Sequence, residues 1–164
     1  TRYIGVTGVQ TCALPILTEL ATKNAKAIFQ SDSFVRMIGW SQGDKELILA
    51  TFKGRASSSR PAEVGLIRVS ATTGEQQPLA VLQSAYLYNI HLSADRKAIA
   101  FTSRQDGKDN VWVIPATGGE AKRLTANSDL KLYFSSLAWS PDGRAIYFGK
   151  QSRHSLLSMI TNFK

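Results

Sequence analysis

The chain has one cysteine, Cys12, so no partner exists for an intramolecular disulfide and a disulfide-based scaffold is excluded. It has no run of about 18 consecutive apolar residues, the length that a membrane-spanning helix requires. Its two histidines, His91 and His154, stand far apart in the sequence, and we expect core or surface positions for them. The sequence therefore predicts no cofactor, no metal centre and no membrane segment in this chain.

The start of the chain resembles an appended sequence. Residues 1–16 look like the translation of a sequencing-library adapter, and we expect them to play no part in the fold. A clipped signal peptide is the alternative, but Gln10 and Thr11 interrupt the apolar core that it would need. Without Cys12 the chain has no thiol nucleophile, and we expect the natural sequence to begin near Leu17.

The composition is that of a globular protein with a basic surface. Of 164 residues, 43% are hydrophobic and 20% are charged, and the net charge is +8. Such a surplus can indicate a nucleic-acid partner. The lysines and arginines are scattered along the chain without a long run, however, so a solvated surface explains them and no nucleic-acid partner is expected.

A repeat organises the sequence from residue 34 onwards. Segments 37–49, 89–101 and 136–148 align, and the clearest copy contains Trp139-Ser140-Pro141-Asp142-Gly143 between two strand-like runs. Proline suits the second position of a tight turn, and glycine accepts the left-handed conformation that closes it. An aromatic residue precedes each copy at the same offset, namely Phe34, Tyr86 and Tyr133. The spacing lies in the range that is typical of propeller blades.

A second block repeats in register with the first. Residues 65–75 align without gaps to residues 110–120, and each block is a strand that ends in a threonine- and glycine-containing hairpin. The repeating unit thus holds four short strands, because β-branched and aromatic residues fill runs bounded by turn residues. Only Leu20 to Phe29 has a helix-like composition.

Tandem four-stranded units predict an all-β fold, a β-propeller, in which neighbouring blades cover each other's faces. We expect a fragment of about two and a half four-stranded antiparallel blades: residues 35–85, residues 86–132 and an incomplete blade at 133–164. Residues 17–34 are interpreted as the remnant of a preceding blade.

The last copy resembles the WD40-like repeats of TolB-type propellers. The resemblance rests on Trp139-Ser140-Pro141-Asp142-Gly143-Arg144, then Ile146-Tyr147-Phe148, and it extends over about residues 35–160. The first two copies depart from the pattern, with Gln42-Gly43-Asp44 and Ala94-Asp95-Arg96 in place of Pro-Asp-Gly.

The resemblance implies a bacterial module that binds or gates and that carries out no chemistry itself. Similar propellers occur in periplasmic TolB, in sensor regions of bacterial regulators and kinases, and in prolyl-oligopeptidase-like serine peptidases. A protein- or ligand-binding role is therefore expected, and the TolB resemblance alone suggests an extracytoplasmic location. The alternative is the gating propeller of a serine peptidase whose catalytic domain lies outside this sequence.

One motif suggests catalysis. Gly39-Trp40-Ser41-Gln42-Gly43 matches the G-x-S-x-G nucleophile elbow, and His154 follows it in the appropriate chain order. The elbow must connect a strand to a helix, whereas the residues after Ser41 predict a strand. Ser41 also aligns with Ser93 and Ser140, so a repeated turn serine is the simpler interpretation and no catalytic residue is assigned.

One predicted face of the propeller collects cations and aromatic rings. Loops from second to third strands and loops that enter the inner strands share this face. The residues expected there are Arg36, Lys53, Arg55, Arg60, Tyr88, His91, Arg104, Lys108, Lys131, Tyr133, Lys150 and Arg153. We expect this face to bind a protein or peptide partner, and its charge suits an acidic one; the alternative is that loops simply carry solvated lysines and arginines.

Asp106, Asp109 and Asn110 surround a glycine without the spacing or the distal glutamate of a calcium loop. A hairpin turn is therefore predicted there.

Overall fold

The computed structural model describes residues 16–18, 23–52 and 61–152, and the elements of this part are β-strands. They are β1 (Ile16–Thr18), β2 (Ala25–Ala27), β3 (Phe34–Trp40), β4 (Glu46–Phe52), β5 (Ala62–Ser70), β6 (Gln76–Leu92), β7 (Ala98–Gln105), β8 (Lys108–Pro115), β9 (Lys122–Arg123), β10 (Leu132–Trp139) and β11 (Ile146–Ser152). In the described part, no helix is long and apolar enough to cross a membrane.

The strands form antiparallel sheets that follow the order of the chain. Strands β3 to β9 make a seven-stranded sheet, while β1–β2 and β10–β11 are two-stranded sheets. Neighbours in sequence are neighbours in the sheet, so short turns connect most pairs. The architecture confirms the predicted all-β fold.

Strand β6 belongs to two successive units at once. Its first part pairs with β5, from Val69↔Gln76 to Ala62↔Ala85, and its last part pairs with β7 up to Leu92↔Ile99. The sequence predicts two separate strands here, and the structure joins them into one of 17 residues. Ala85 pairs with Ser103 and Ile90 pairs with Phe101, so five residues of β6 lie opposite two of β7. This bulge changes the direction of β6 between the two units.

The second strand of each of the first two units is buried on both faces. Leu47 to Ala50 in β4 are all buried, as are Ile99 to Ser103 in β7. A strand that alternates between core and solvent would show every second residue exposed. Continuous burial shows that these sheets are covered on both sides, as stacked blades require.

In the described part of the chain, three apolar clusters fill the spaces beside the sheets. The largest lies between the first two units and includes Ile48, Leu66, Leu82, Ile99 and Ile114. Full burial of one such side chain contributes about 1.5–3 kcal/mol. Another cluster joins Phe134 and Leu137 to Ala100 and Val111, so the β10–β11 sheet packs on the unit before it.

The segment before β3 is extended where it is described. Ala25–Ala27 form β2, and the helix-like composition of Leu20 to Phe29 does not produce a helix in its described part, residues 23–29. Ile28 and Phe29 are buried against Leu47, Leu49 and Val69. Tertiary burial outweighs local propensity here. The assignment of residues 17–34 to a preceding blade, like the blade boundaries, stays a prediction.

The Ser-x-Asp turn keeps its side-chain hydrogen bonds in the second and third copies despite the sequence departure in the second. Ser140 Oγ donates to Asp142 at 2.5 Å, and Ser93 Oγ donates to Asp95 at 2.6 Å. Each serine hydroxyl also accepts the amide five residues on, at 2.8 Å for Ala145 and 3.0 Å for Ala98. In the first copy a glycine replaces the aspartate, and Ser41 Oγ contacts Glu46 at 3.4 Å instead.

Candidate partner-binding face

Two ends of the sheets carry different connections. We call one end the turn face; it holds the turns at 41–45, 93–97 and 140–145. The opposite end is the crossover face, which holds residues 83–89 and 124–131, where one unit passes to the next, and the β7–β8 turn. Among the described residues of the predicted binding surface, His91 lies towards the turn end of β6, where it pairs with Ala100, and the others lie at or near the crossover face.

Arg36 fixes the first crossover by hydrogen bonds to its backbone carbonyls. It lies on β3, and its Nη1 donates to the carbonyl oxygens of Leu87 at 2.5 Å and Ile90 at 3.2 Å. Its guanidinium carbon lies 5.9 Å from the centre of the Tyr88 ring, within the range of a cation–π contact. Burial lowers the pKa of Arg36 from its usual value. The Leu87 carbonyl belongs to the bulged part of β6, between Ala85 and Ile90, so Arg36 provides a donor where the pairing with β7 is interrupted.

His91 lies beside this arginine. Burial and the charge of Arg36 lower the pKa of His91 below its ordinary value of 6.5, although a hydrogen bond to the carbonyl of Tyr88 opposes the shift. The imidazole is therefore neutral at pH 7. The carbonyl of His91 also accepts a hydrogen bond of 3.0 Å from the indole nitrogen of Trp139, which ties β6 to β10.

Arg104 holds the second crossover in a similar way. Its Nη1 donates to the carboxylate of Asp109 at 2.8 Å and its Nη2 to the carbonyl of Leu130 at 3.2 Å. The guanidinium carbon stands 4.5 Å from the centre of the Tyr133 ring. Burial alone would lower the pKa of Arg104, but hydrogen bonds with Asp109 and Tyr86 raise it overall.

Asp109 is the buried centre of this group. Its side chain has no exposed surface, and it accepts hydrogen bonds from the Tyr86 hydroxyl at 3.1 Å and from the Phe134 amide at 2.8 Å, besides the Arg104 bond. Burial, followed by the negative charge of Asp109, raises the pKa of the Tyr86 hydroxyl. The Tyr86 hydroxyl and the Phe134 backbone amide thus converge on one carboxylate.

The loop of the second crossover is fixed by side-chain amides. Asn110 Oδ1 accepts from Thr125 Oγ1 at 3.0 Å and from the Asn127 amide at 2.8 Å. Asp106 and Gly107 have φ values of 50° and 72°, which form the predicted two-residue hairpin turn. The sequence predicts this turn but gives no sign that Asp109 and Asn110 organise the neighbouring crossover. Among the described residues, no group of three or more histidine, cysteine, aspartate and glutamate side chains is placed to hold a metal ion.

The remaining predicted residues divide by exposure. Tyr88, Lys131 and Lys150 are exposed, Lys108 and Tyr133 are half-buried, and all belong to the crossover end of their elements. The exposed acids of the same end include Asp32, Glu63, Asp106 and Asp129. Lys53, Arg55, Arg60, Arg153 and His154 lie outside the described residues. The excess positive charge predicted for this face therefore depends on Lys53, Arg55, Arg60 and Arg153.

Ser41 has the environment of a turn residue. It is 6% exposed, its amide donates to the carbonyl of Glu46 at 2.8 Å, and β4 follows it. A nucleophile elbow requires a helix after the serine. The likeness of Ser41 to Ser93 and Ser140 extends to this backbone hydrogen bond, which measures 2.8 Å in each copy.

A separate groove lies between the second unit and the β10–β11 sheet, towards the turn face. Its volume is about 660 Å³. Six apolar residues line much of it: Val111, Val113, Leu124, Trp139, Ile146 and Phe148. Lys97, Lys122, Arg144 and Glu120 are charged residues of the same lining. Sequence reasoning missed this groove because its walls come from separate units.

The repeated four-stranded pattern, the bulged strand that links units and the face-to-face packing define a partial β-propeller. Solved structures show the same fold. The chain is similar to TolB from Acinetobacter baumannii, with a TM-score of 0.58, 16% identity, and coverage of 81% of this chain and 31% of that protein. A TolB of Agrobacterium tumefaciens matches with a TM-score of 0.52 and 22% identity, over 80% of this chain and 43% of that one.

An enzyme shares the fold as well. An oligogalacturonate lyase in complex with manganese matches with a TM-score of 0.58 and 15% identity, over 85% of this chain and 42% of the lyase. The chain thus spans less than half the length of each of these proteins. No protein-family model matches the chain, and no curated protein sequence does. These likenesses confirm the predicted TolB-like β-propeller fold.

Proposed function

We propose that this chain is a non-catalytic binding module that recognises a protein or peptide partner at its crossover face. The observation that carries the proposal is the pair of arginine-held crossovers. Arg36 and Arg104 each contact backbone carbonyls that lie far away in the sequence. A surface whose loops are already ordered loses less conformational entropy when a partner binds.

Three exposed side chains of this face, the Tyr88 ring and the Lys131 and Lys150 ammonium groups, suit a partner with carboxylates, although exposed acids lie at the same end. Tyr88 is 44% exposed and offers an aromatic surface at the first crossover. Lys131 and Lys150 are exposed near one end of the β10–β11 hairpin, where Leu132 pairs with Ser152. Aromatic rings provide contact area in protein interfaces, and lysines attract acidic groups through water. We therefore assign partner recognition to these three residues, with Lys108 beside them.

Arg36 and Arg104 have a supporting role in this proposal. Each guanidinium already contacts backbone carbonyls and an aromatic ring, and Arg104 also pairs with a buried carboxylate. Reversing either charge would place a carboxylate against carbonyl oxygens and would disturb the fold. A charge-reversal test of binding is therefore informative at Lys131 and Lys150 and uninformative at the two arginines.

The experiment measures fluorescence anisotropy of a labelled glutamate-rich peptide against the chain and a Lys131→Glu/Lys150→Glu variant. Two exposed ion pairs contribute up to about 1 kcal/mol each, so the variant should bind about tenfold more weakly. The matched control is Lys45→Glu/Arg123→Glu, which changes the net charge equally at exposed positions elsewhere. Equal weakening by both variants, or no binding by the unmodified chain, would contradict the proposal.

A further inference from the structure

We propose that a pocket between the first two units binds a small, uncharged aromatic compound with a carbonyl group, whose oxygen accepts a hydrogen bond from the indole nitrogen of Trp112. The pocket has a volume of about 230 Å³. Its lining residues belong to β6, β7, β8 and the β8–β9 hairpin, all between positions 80 and 121, a range that the structure describes throughout. The pocket contains none of the residues assigned to partner recognition, so binding there does not depend on the proposed function.

Two aromatic rings form one wall of the pocket. Phe101 of β7 and Trp112 of β8 are directly paired, so their side chains lie on the same face of the sheet. That face packs on the first unit, because Phe101 shares a buried cluster with Leu66 and Leu82. The two rings are nearly parallel, with 17° between their planes and 6.4 Å between their centres. Another aromatic ring can pack on them in an offset or edge-to-face arrangement.

The first unit shows that the fold does not require this aromatic pair. In the aligned repeats, Leu49 stands at the position of Phe101, and Ile67 stands at the position of Trp112. Leu49 and Ile67 are also directly paired and pack in an apolar cluster that includes Ile28. Aliphatic side chains therefore suffice for packing at these positions, and the second unit differs by two rings and one hydrogen-bond donor.

The donor of Trp112 has no acceptor among the described residues. Its Nε1 atom is buried and makes no hydrogen bond there. The indole nitrogen of Trp139, in contrast, donates to the carbonyl of His91 at 3.0 Å. A buried donor that has lost water without gaining an acceptor is unfavourable, so an acceptor brought by a ligand stabilises the bound state. The ligand therefore needs one acceptor beside an apolar body.

The rest of the lining indicates an uncharged ligand. Besides the aromatic pair, the described lining consists of aliphatic residues, one glycine and two glutamines, with no charged side chain. The glutamines are Gln83 and Gln105, which are exposed at the end of the pocket towards the crossover face. An ionised group in such a pocket would lose water without gaining a partner of opposite charge. A neutral carbonyl oxygen meets the demand of Trp112 without this cost.

The size of the pocket limits the ligand to about one ring. Ala80, Gly119 and Ala121 are small residues of the lining, and they leave space between the two units. The β8–β9 hairpin lies directly against β6, because a Cβ atom at Gly118 would stand 2.7 Å from the carbonyl oxygen of Leu79. The pocket is smaller than the roughly 300–1,000 Å³ that drug-sized ligands occupy, so a single-ring compound fits it.

The test follows the indole ¹⁵N–¹H signals of the full chain while acetophenone is added. The chain has three tryptophans, and Trp112→Phe identifies the signal of Trp112 by its loss. Acetophenone should shift this signal downfield and saturably, with a dissociation constant of about 1 mM. Toluene lacks the acceptor and benzoate is charged, so each should bind at least tenfold more weakly. No saturable shift with acetophenone, or equal binding of the three compounds, would overturn the proposal.

The Trp112→Phe variant tests the hydrogen bond itself. It keeps an aromatic wall and removes the donor. Acetophenone binding, measured by saturation-transfer difference NMR of the ligand, should weaken about tenfold, whereas toluene binding should change by less than twofold. Unchanged binding of acetophenone would overturn the role given to the Trp112 donor.

A filled pocket tests the location. Ala121→Leu places a larger side chain in the lining and should abolish saturable acetophenone binding. Ala71→Leu is the matched control: Ala71 is half-buried like Ala121 but lies in the β5–β6 turn, outside the lining, and its replacement should change binding by less than twofold. Equal effects of the two variants would overturn the assignment to this pocket. If circular dichroism shows that Ala121→Leu loses its β-structure, the result for Trp112→Phe decides.

Discussion

Arg104 and Asp109 form an ion pair of 2.8 Å in which the aspartate side chain has no exposed surface and the arginine side chain is 19% exposed. The pair joins the β7–β8 hairpin to the second crossover, because Asp109 also accepts the amide of Phe134 and Arg104 reaches the carbonyl of Leu130. One carboxylate therefore sets the position of β10 relative to the unit before it.

Replacing this carboxylate should strongly destabilise the chain. Asp109→Asn leaves Arg104 without its charged partner, and removal of one member of a buried pair costs about 3–5 kcal/mol. Because Arg104 reaches solvent, we expect a decrease near 3 kcal/mol in the free energy of unfolding, measured by urea titration. Glu120→Gln, a change at an exposed carboxylate, should alter it by less than about 0.5 kcal/mol. A similar small effect of Asp109→Asn would contradict the role given to the pair.

The turn at Gly143 should be sensitive to a side chain for conformational reasons alone. Gly143 has a φ of 69°, and a Cβ placed there would meet no atom within 4 Å. Gly143→Ala should therefore lower the free energy of unfolding by about 1–2 kcal/mol through backbone strain. Gly143→Asn should cost less, because asparagine tolerates this conformation better. Equal losses for both variants would show that the effect is not conformational.

The second copy of the turn places an arginine where the third has glycine. Arg96 has a φ of 60°, and its guanidinium pairs with Asp44 of the first copy. Arg96→Ala loses this contact and keeps the strain, whereas Arg96→Gly loses the contact and relieves the strain. We expect the glycine variant to be more stable than the alanine variant by about 1 kcal/mol in urea unfolding. The reverse order would contradict the conformation assigned to this turn.

Acid should weaken the fold through His91. Its pKa is lowered by burial and by Arg36, so the unfolded chain, with a histidine pKa of about 6.5, takes up a proton first as the pH falls. The stabilisation by neutral His91 is complete above that value and is lost as the pH falls towards the folded pKa. Unfolding measured from pH 8 to 5 should show a smaller decrease for His91→Gln than for the unmodified chain. Parallel curves would contradict this assignment.

The sequence predicts the propeller well because its turns are local. Ser140, Asp142 and Gly143 determine a turn through contacts within five residues, and the same chemistry recurs at Ser93 and Asp95. Four-stranded units then follow from the spacing of such turns. The continuity of β6 is not predicted, because it depends on a bulge between units and no residue pattern marks it.

The candidate site is predicted less completely, since its decisive contacts join distant residues. Arg36 reaches carbonyls 51 and 54 residues later, and Leu130 lies 26 residues from Arg104. A list of basic loop residues cannot separate these internal arginines from exposed Lys131 and Lys150. The one sequence signal for the Arg104–Asp109 contact is their spacing, because residues on either side of a two-residue hairpin turn are directly paired at this separation.

The central claim, that the crossover face binds a partner, is tested most directly by mapping a titration with the glutamate-rich peptide through backbone amide chemical shifts of the chain. Binding at this face should shift the amide resonances of Tyr88, Lys131 and Lys150, and these shifts should saturate together. Shifts confined to the turn face, at Lys45, Lys97 and Arg144, or no saturable shifts at all, would contradict it.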